Sequence, residues 1–265
     1  MTIACSDSGG GAGIQADLKT FAALGVFGTS AVTCLTAQNP SGVTGIYPVS
    51  PEFVRAQILA VCESFPIQVA KTGMLFSAEI IRVVAEEDVR EGIEVLVVDP
   101  VMVAASGARL LQAEAVTALC QELLPQARVI TPNLHEAEIL CGHSISRVEE
   151  LVDAARQIGA NYDVACVAKG GHLDASGDTV VDVLFDEGEQ YIFEGPRIPT
   201  SETHGAGCAF SAALVAFLAR GLSLYEAVEA ARRFVSRAIE GSVRIGRHYP
   251  LNFQAASPFA VSNAP

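Results

Sequence analysis

The stretch "QVAKTGMLFSAEIIRVVAEEDVREGIEVLVVDPVM", residues 68–102, carries the pattern that decides the fold. It reads as an apolar run (68–75), an amphipathic segment (77–92) and a second apolar run (94–102). Both runs are apolar at odd and even positions alike, as strands covered on both faces must be. The segment between them has one apolar side, enough to cover a sheet as a helix. A strand, a helix and a strand in this order form the repeating unit of a parallel sheet.

The same alternation continues outward in both directions. "MTIAC", "GTSAVTCLTA", "ARVITPN" and "DVACVAKGG" read as further strands. "AGIQADLKTFAALG", "SPEFVRAQILAVCESF", "QAEAVTALCQELLPQA", "NLHEAEILCG" and "SRVEELVDAARQIGA" read as helices between them. The expectation is an α/β fold with a central, mostly parallel sheet and helices on both faces. With 265 residues, half of them apolar, and no repeat or linker, one domain over 1–265 is expected. From Tyr249 onward, "YPLNFQAASPFAVSNAP" loses helical periodicity, so 249–265 is expected as an irregular C-terminal tail.

Net charge is −13 and the 17 basic residues are scattered, which argues against nucleic acid or an anionic membrane as partner. Seven cysteines, an odd number with no C-x-x-C pair, fit a reduced cytoplasmic protein better than a disulfide scaffold or zinc site. No apolar run is long enough to span a bilayer and no signal-like segment is present, so a soluble, cytoplasmic location is expected.

In an open α/β sheet, ligands sit beyond the carboxyl ends of the strands. Those ends read "SDSGGGAG", "TAQN", "KTGM", "DPVM", "TPNLHE" and "KGG", a crowd of polar residues, glycines and prolines along one edge. The first loop does not spell G-x-G-x-x-G, the next strand ends without an acidic residue, and a Walker A loop is absent. Gly9, Gly10 and Gly11 fit a tight turn or the close approach of backbone to a ligand. A second glycine turn opens "ETHGAGCAFSAALVAFLARG", residues 202–221, and runs into an apolar helix with Cys208 at its start. Bare N–H groups and the positive end of a macrodipole attract anions there. Free cysteine in such a place is either a small apolar packing residue or a thiol put to use.

Taken in order, "CSDSGGGAGIQADLKTFAALGVFGTSAVTCLTAQN", "KTGML", "DPVMVAASG", "TPNLHEAEIL", "KGGH" and "THGAGCAFSAAL" resemble the hydroxymethylpyrimidine phosphate kinases of thiamin biosynthesis, within the ribokinase-like superfamily. The resemblance covers residue 2 to about 245. It implies ATP-dependent phosphorylation of 4-amino-5-hydroxymethyl-2-methylpyrimidine and then of its monophosphate, with Mg2+, in a homodimer. Gly205, Ala206 and Gly207 would form an anion hole and Cys208 the general base; most of the superfamily carries Asp at that position, and this branch Cys. Gln38 would read the pyrimidine, Met74 and Val101 would wall the ring, and Gly11 and Asp17 would lie on the substrate side. Lys169, Asn133 and Thr203 would meet the nucleotide, and Glu136 and Asp99 the metal.

Each role has a plain alternative: a loop-capping amide for Gln38, core packing for Met74 and Val101, helix-dipole compensation for Asp17, a first-turn acid for Glu136, a surface cation for Lys169. His135, His172 and His204 lack metal-ligand spacing and are assigned no catalysis. Departures from the family's wording fall at Cys5, Ala105, Ala206 and the tail. Two other functions stay open: a pyridoxal or pyridoxine kinase of the same branch, and a degenerate pyrimidine-binding sensor without transfer activity.

Overall fold

A computed structural model describes residues 1–102, 111–173, 177–200 and 202–259; Ala105 and the end of the tail lie outside the described residues. The chain begins with β1 (Thr2–Asp7), α1 (Gly13–Ala23), β2 (Ser30–Asn39), β3 (Gly42–Pro48), α2 (Pro51–Ser64) and β4 (Ile67–Thr72). It continues through α3 (Ala78–Ala85), α4 (Glu87–Arg90), β5 (Ile93–Val98), α5 (Ala113–Ala118), β6 (Val129–Ile130), α6 (Leu134–Cys141), α7 (Val148–Tyr162) and β7 (Ala165–Lys169). It ends with β8 (Thr179–Asp186), β9 (Glu189–Pro196), α8 (Ala206–Ala219) and α9 (Leu224–Glu240).

Among the described residues one sheet is formed, in the order β3-β2-β1-β4-β5-β6-β7-β8-β9. The six strands from β2 to β7 in that order pair in parallel, while β3, β8 and β9 are antiparallel additions at the two edges. The six expected strands are the parallel core. The edge strands β3, β8 and β9, and the amphipathic α9, were not anticipated.

Strand alternation feeds two separate cores. In β5, Leu96 and Val98 pack with α2, α3, α5, α6 and α7, whereas Val97 packs on the opposite face with α1, α8 and α9. Burial on both sides is why the central strands read as unbroken apolar runs. It also explains α8, whose residues from Ala209 to Ala216 are all buried because it is packed between α1, α9 and β4. Helix starts are set by side chains: Ser50 caps α2 and Ser223 caps α9, each accepting from the N–H three residues on.

The C-terminal segment is irregular, as expected, but not loose where it is described. Leu251, Phe253 and Ala256 are buried in the α1–α8–α9 core, and Asn252 bonds the end of α9 at Gly241. Phe253→Ala removes a buried ring from this layer and is expected to cost about 3 to 5 kcal/mol of stability. Urea unfolding checks this, and an unchanged midpoint would mean that the tail is not part of the core.

Candidate active site

All six parallel-strand ends border one cleft of about 650 Å³, whose walls include Asp7, Gln38, Gly73, Asp99, Asn133 and Gly171. The cleft runs from the β1–β2 side, where the wall is apolar, to the β8–β9 side, where arginines gather.

Asp7, at the end of β1, organises the first glycine loop. Its buried carboxylate accepts from the N–H groups of Gly9 (2.8 Å), Gly11 (3.0 Å) and Ala12 (2.8 Å). It also meets His204 Nε2 at 3.1 Å, immediately before the second glycine turn. Burial pushes the carboxyl upward, but the His204 bond and the amides of Gly9 and Ala12 outweigh it and hold Asp7 below the usual range. The two glycine loops therefore form one unit. Gly205 has φ 86°, and a Cβ there would collide with the Gly11 carbonyl oxygen.

At the start of α8 the Ala206 N–H is taken by the Thr203 carbonyl at 3.0 Å. This corrects the expectation that the whole turn offers donors: Gly207 and Cys208 supply the first-turn N–H groups without a partner among the described residues. Lys169 lies alongside, its Nζ 3.6 Å from where a Gly207 Cβ would be. Its side chain is only 13% exposed, which removes the surface-cation alternative.

Cys208 lines the cleft, half-buried. Its thiol is pushed up to about 11 by burial, against the pull of the Lys71 charge and a bond from the Gly13 N–H. Burial thus outweighs the lowering that a helix N-terminus exerts on a thiol, and the ligand-free protein holds a neutral thiol at pH 7.

Two ion pairs line the same cleft. Lys71 Nζ donates to Asp17 at 2.9 Å, both side chains being wholly buried, and Thr2 Oγ1 donates to the other Asp17 oxygen at 2.6 Å. Asp17 is the fifth residue of α1, past the first turn, so it does not compensate the helix dipole. Both of its oxygens are engaged in the cleft floor. Asp99 accepts from Lys169 (3.1 Å), Thr131 (3.1 Å) and Ser211 (2.9 Å).

Glu136 and Asn133 form the capping box of α6, with Glu136 accepting from the Asn133 N–H (2.9 Å) and the Met102 N–H (3.3 Å). The first-turn reading of Glu136 is therefore realised, yet the residue is buried and faces the cleft as well. Burial pushes its carboxyl up to about 8, with Lys169 pulling it down and the Asp99 charge adding to the rise. A buried carboxylate raised in this way, beside a second carboxylate, fits a divalent cation that keeps most of its waters.

On the ring side, Met74 packs with Cys5 and Cys34, and Phe76 and Val101 close the cluster. Gln38 Oε1 accepts from Thr36 at 3.1 Å, and its backbone is locked to Ser8 by two bonds. The structure brings all the expected residues to this one cleft or its rim; Gly11 enters through its contact with Gly205. It adds Lys71, Asp7, Val43, Ile46, Asp182, Arg197 and Arg232, which sequence reading passed over, and His204, to which it assigned no catalysis. Arg232 is bound to Asp182 at 2.7 Å. A lysine inside the apolar run "QVAKTGML" was the one visible signal among these.

Comparison with known proteins gives a consistent result. A family model described as phosphomethylpyrimidine kinase matches residues 7–252. The chain is 48% identical over 260 residues to the hydroxymethylpyrimidine/phosphomethylpyrimidine kinase of Haemophilus influenzae, covering 97% of each. It is 48% identical over 253 residues to the thiamine biosynthesis bifunctional protein ThiED of Geobacter sulfurreducens, covering 95% of this chain but about half (51%) of that longer protein. Among solved structures, the pyridoxal kinase of Staphylococcus aureus in complex with AMP-PCP and pyridoxal superposes with a TM-score of 0.86 at 34% identity, over 97% of this chain and 94% of that one.

The joined glycine loops make a comparison possible at constant backbone angle. Gly205→Ala and Gly221→Ala place a side chain at φ 86° and φ 85°, but only the first meets other atoms within 4 Å. Strain alone costs about 1 to 3 kcal/mol in each. Gly205→Ala should lose clearly more in thermal unfolding and also lose turnover; equal losses would mean that the loops are not rigidly joined.

Proposed function

The chain belongs to the phosphomethylpyrimidine kinase family, and from that membership we propose that it phosphorylates 4-amino-5-hydroxymethyl-2-methylpyrimidine with ATP and then phosphorylates the resulting monophosphate. The observation that carries this reading is the single cleft in which the apolar wall of Met74 and Val101 faces the N-terminus of α8, Cys208 and Lys169. The fold is ribokinase-like and the family is one of phosphotransferases.

In this reading Gln38 presents its amide to the aminopyrimidine edge, its oxygen held by Thr36 so that the NH2 donors stay available. Met74 and Val101 flank the flat ring. The hydroxymethyl oxygen attacks the γ-phosphorus, the bond to the ADP oxygen breaks, and the hydroxyl proton passes to Cys208 Sγ in its thiolate form, the thiol having first given its own proton to solvent. The Gly207 and Cys208 N–H groups and Lys169 stabilise charge on the moving phosphoryl group. Asn133 and Thr203 border the nucleotide side of the cleft. Asp99 and Glu136 would hold Mg2+, which when bound offsets the charge of the triphosphate.

We also read the chain as one kinase domain that works as a homodimer. Support for the second copy lies in β3, an edge strand exposed along its whole length, with Val43, Ile46 and Tyr47 bare and no charged residue.

A second reading, pyridoxal kinase, has a specific observation behind it in the pyridoxal-bound neighbour. Greater identity to the curated pyrimidine kinases, 48% against 34% and 38% for two solved pyridoxal kinases, favours the first. ATP-dependent turnover of the pyrimidine alcohol, its monophosphate and pyridoxine, measured side by side, should rank pyridoxine last. Preference for pyridoxine would reverse the assignment, and ligand binding without ADP release from any of them would leave a sensor.

The two steps differ in what they ask of Cys208. An alcohol must lose a proton, whereas a phosphate monoester, with a second pKa of about 6, is already largely a deprotonated nucleophile at pH 7. Cys208→Ala should therefore slow the alcohol by about 10² to 10⁴-fold and the monophosphate far less. Since the thiol is held near 11, wild-type turnover of the alcohol should climb with pH up to at least pH 9, and the alanine variant should lack this climb. Equal losses on the two substrates would remove Cys208 from proton transfer.

A further inference from the structure

Lys71 is the buried cation that the reaction as described does not use. It enters the interior from β4 at a register fixed by pairing with Thr2 of β1. Thr2 and Lys71 then grip the two oxygens of Asp17 at 2.6 and 2.9 Å. Such a pair is a poor source of stability, because desolvating both charges offsets most of their attraction and apolar replacements are often neutral or better. Its position is more telling. The pair lines the cleft that Cys208 also lines, sits on the strand and helix (β4 and α1) against which α8 packs, and puts the ammonium on the side of Gly73, about one van der Waals contact (3.9 Å) from where a Cβ would stand.

We propose that Lys71 is a positioning residue for proton transfer: anchored by Asp17 and Thr2 in the cleft that Cys208 lines, its fixed positive charge supports the Cys208 thiolate that accepts the hydroxyl proton of the substrate. The proposal rests on the reading of Cys208 as the base. The step starts from the thiolate, the thiol having lost its proton to solvent: the alcohol O–H bond breaks, the proton joins the S⁻, the alcohol oxygen bonds to phosphorus and ADP leaves with the electron pair of its bond.

Every charged or titratable group around the thiol can be named. Lys71 on β4 and the Gly13 N–H on α1 favour the thiolate, while Asp17 on α1 and Asp99 after β5 oppose it. Lys169 on β7 and the Cys5 thiol on β1 also interact with Cys208. Of the charges, Lys71 has the largest effect on the sulfur. The ammonium itself would be lowered by burial, but the Asp17 charge, helped by Cys208 and Asp99, holds it above its ordinary value, so it stays charged throughout the working range.

The test compares Lys71→Met, which keeps most of the stem and removes the charge, with the double variant Lys71→Met/Asp17→Asn, which leaves no unpaired buried carboxylate. Iodoacetamide labelling of the Cys208 peptide at pH 9 is followed by mass spectrometry, since alkylation follows the thiolate fraction. Circular dichroism and affinity for an ATP analogue confirm folding. Lys71→Met should label about tenfold more slowly or worse, one pKa unit being a factor of ten. The double variant should fall between it and wild type, because the opposing Asp17 charge has gone too. Alcohol turnover should drop in the same order while monophosphate turnover changes little.

That graded order is not expected from a merely structural role. A folded double variant that labels at the wild-type rate overturns the proposal. Slowed labelling with unchanged alcohol turnover overturns it differently: Lys71 then governs the thiol, and the reading of Cys208 as base is what fails.

Discussion

The approach of Gly205 to the Gly11 carbonyl is the constraint on which the site depends. Two loops 194 residues apart in number, one closing β1 and the other opening α8, lie so close that neither tolerates a Cβ between them. Asp7 makes the contact specific by binding three amides of the first loop and His204 of the second. Because α8 is buried along most of its length between α1, α9 and β4, its start cannot drift away from that anchor. A rigid core thus fixes where the helix end points, and the helix end fixes where an anion is stabilised.

An acidic chain must gather positive potential where phosphates are to bind, and here it does so with few groups. Lys71 is wholly buried and Lys169 mostly so, and both are paired, with Asp17 and Asp99 respectively. Arg197 and Arg232 approach from the other end, where they bind backbone carbonyls and Asp182 and thereby shape the rim around β8 and β9. Pairing prevents these cations from collapsing onto each other's carboxylates in alternative ways. It also leaves Glu136 with a carboxyl that burial and the Asp99 charge raise, so that it favours a proton or a nearby cation.

Sequence reading found the parallel core because burial on both faces leaves an unmistakable trace, as in "EVLVVDPVM". It missed β3, whose "GVTGIYP" is short, holds two glycines and buries no residue, so no periodicity betrays it. It missed β8 and β9 although a signal existed: Glu187 and Gly188, both at positive φ, form a two-residue turn between alternating segments. The crowd of functional residues at the strand ends was legible because topology obliges ligands to sit there. The links between them were not. Asp17 and Lys71 are 54 positions apart, and it takes the β1–β4 pairing together with the packing of α1 on β1 to bring them together.

The same charges bear on why a thiol stands at position 208. Asp17 and Asp99 already face the start of α8, and both oppose negative charge on Cys208. A carboxylate there would add a third anion at the point where a triphosphate and a phosphorylated substrate must meet. A thiol held near 11 is neutral while the ligands bind. In the proposed role only its thiolate fraction takes the proton, late in a loose phosphoryl transfer where little is asked of the base beforehand. Neutrality in the ground state suits a cleft that has to accept an alcohol in one turnover and its phosphate ester in the next, since the second ligand brings its own nucleophilic charge and would be repelled by a fixed one.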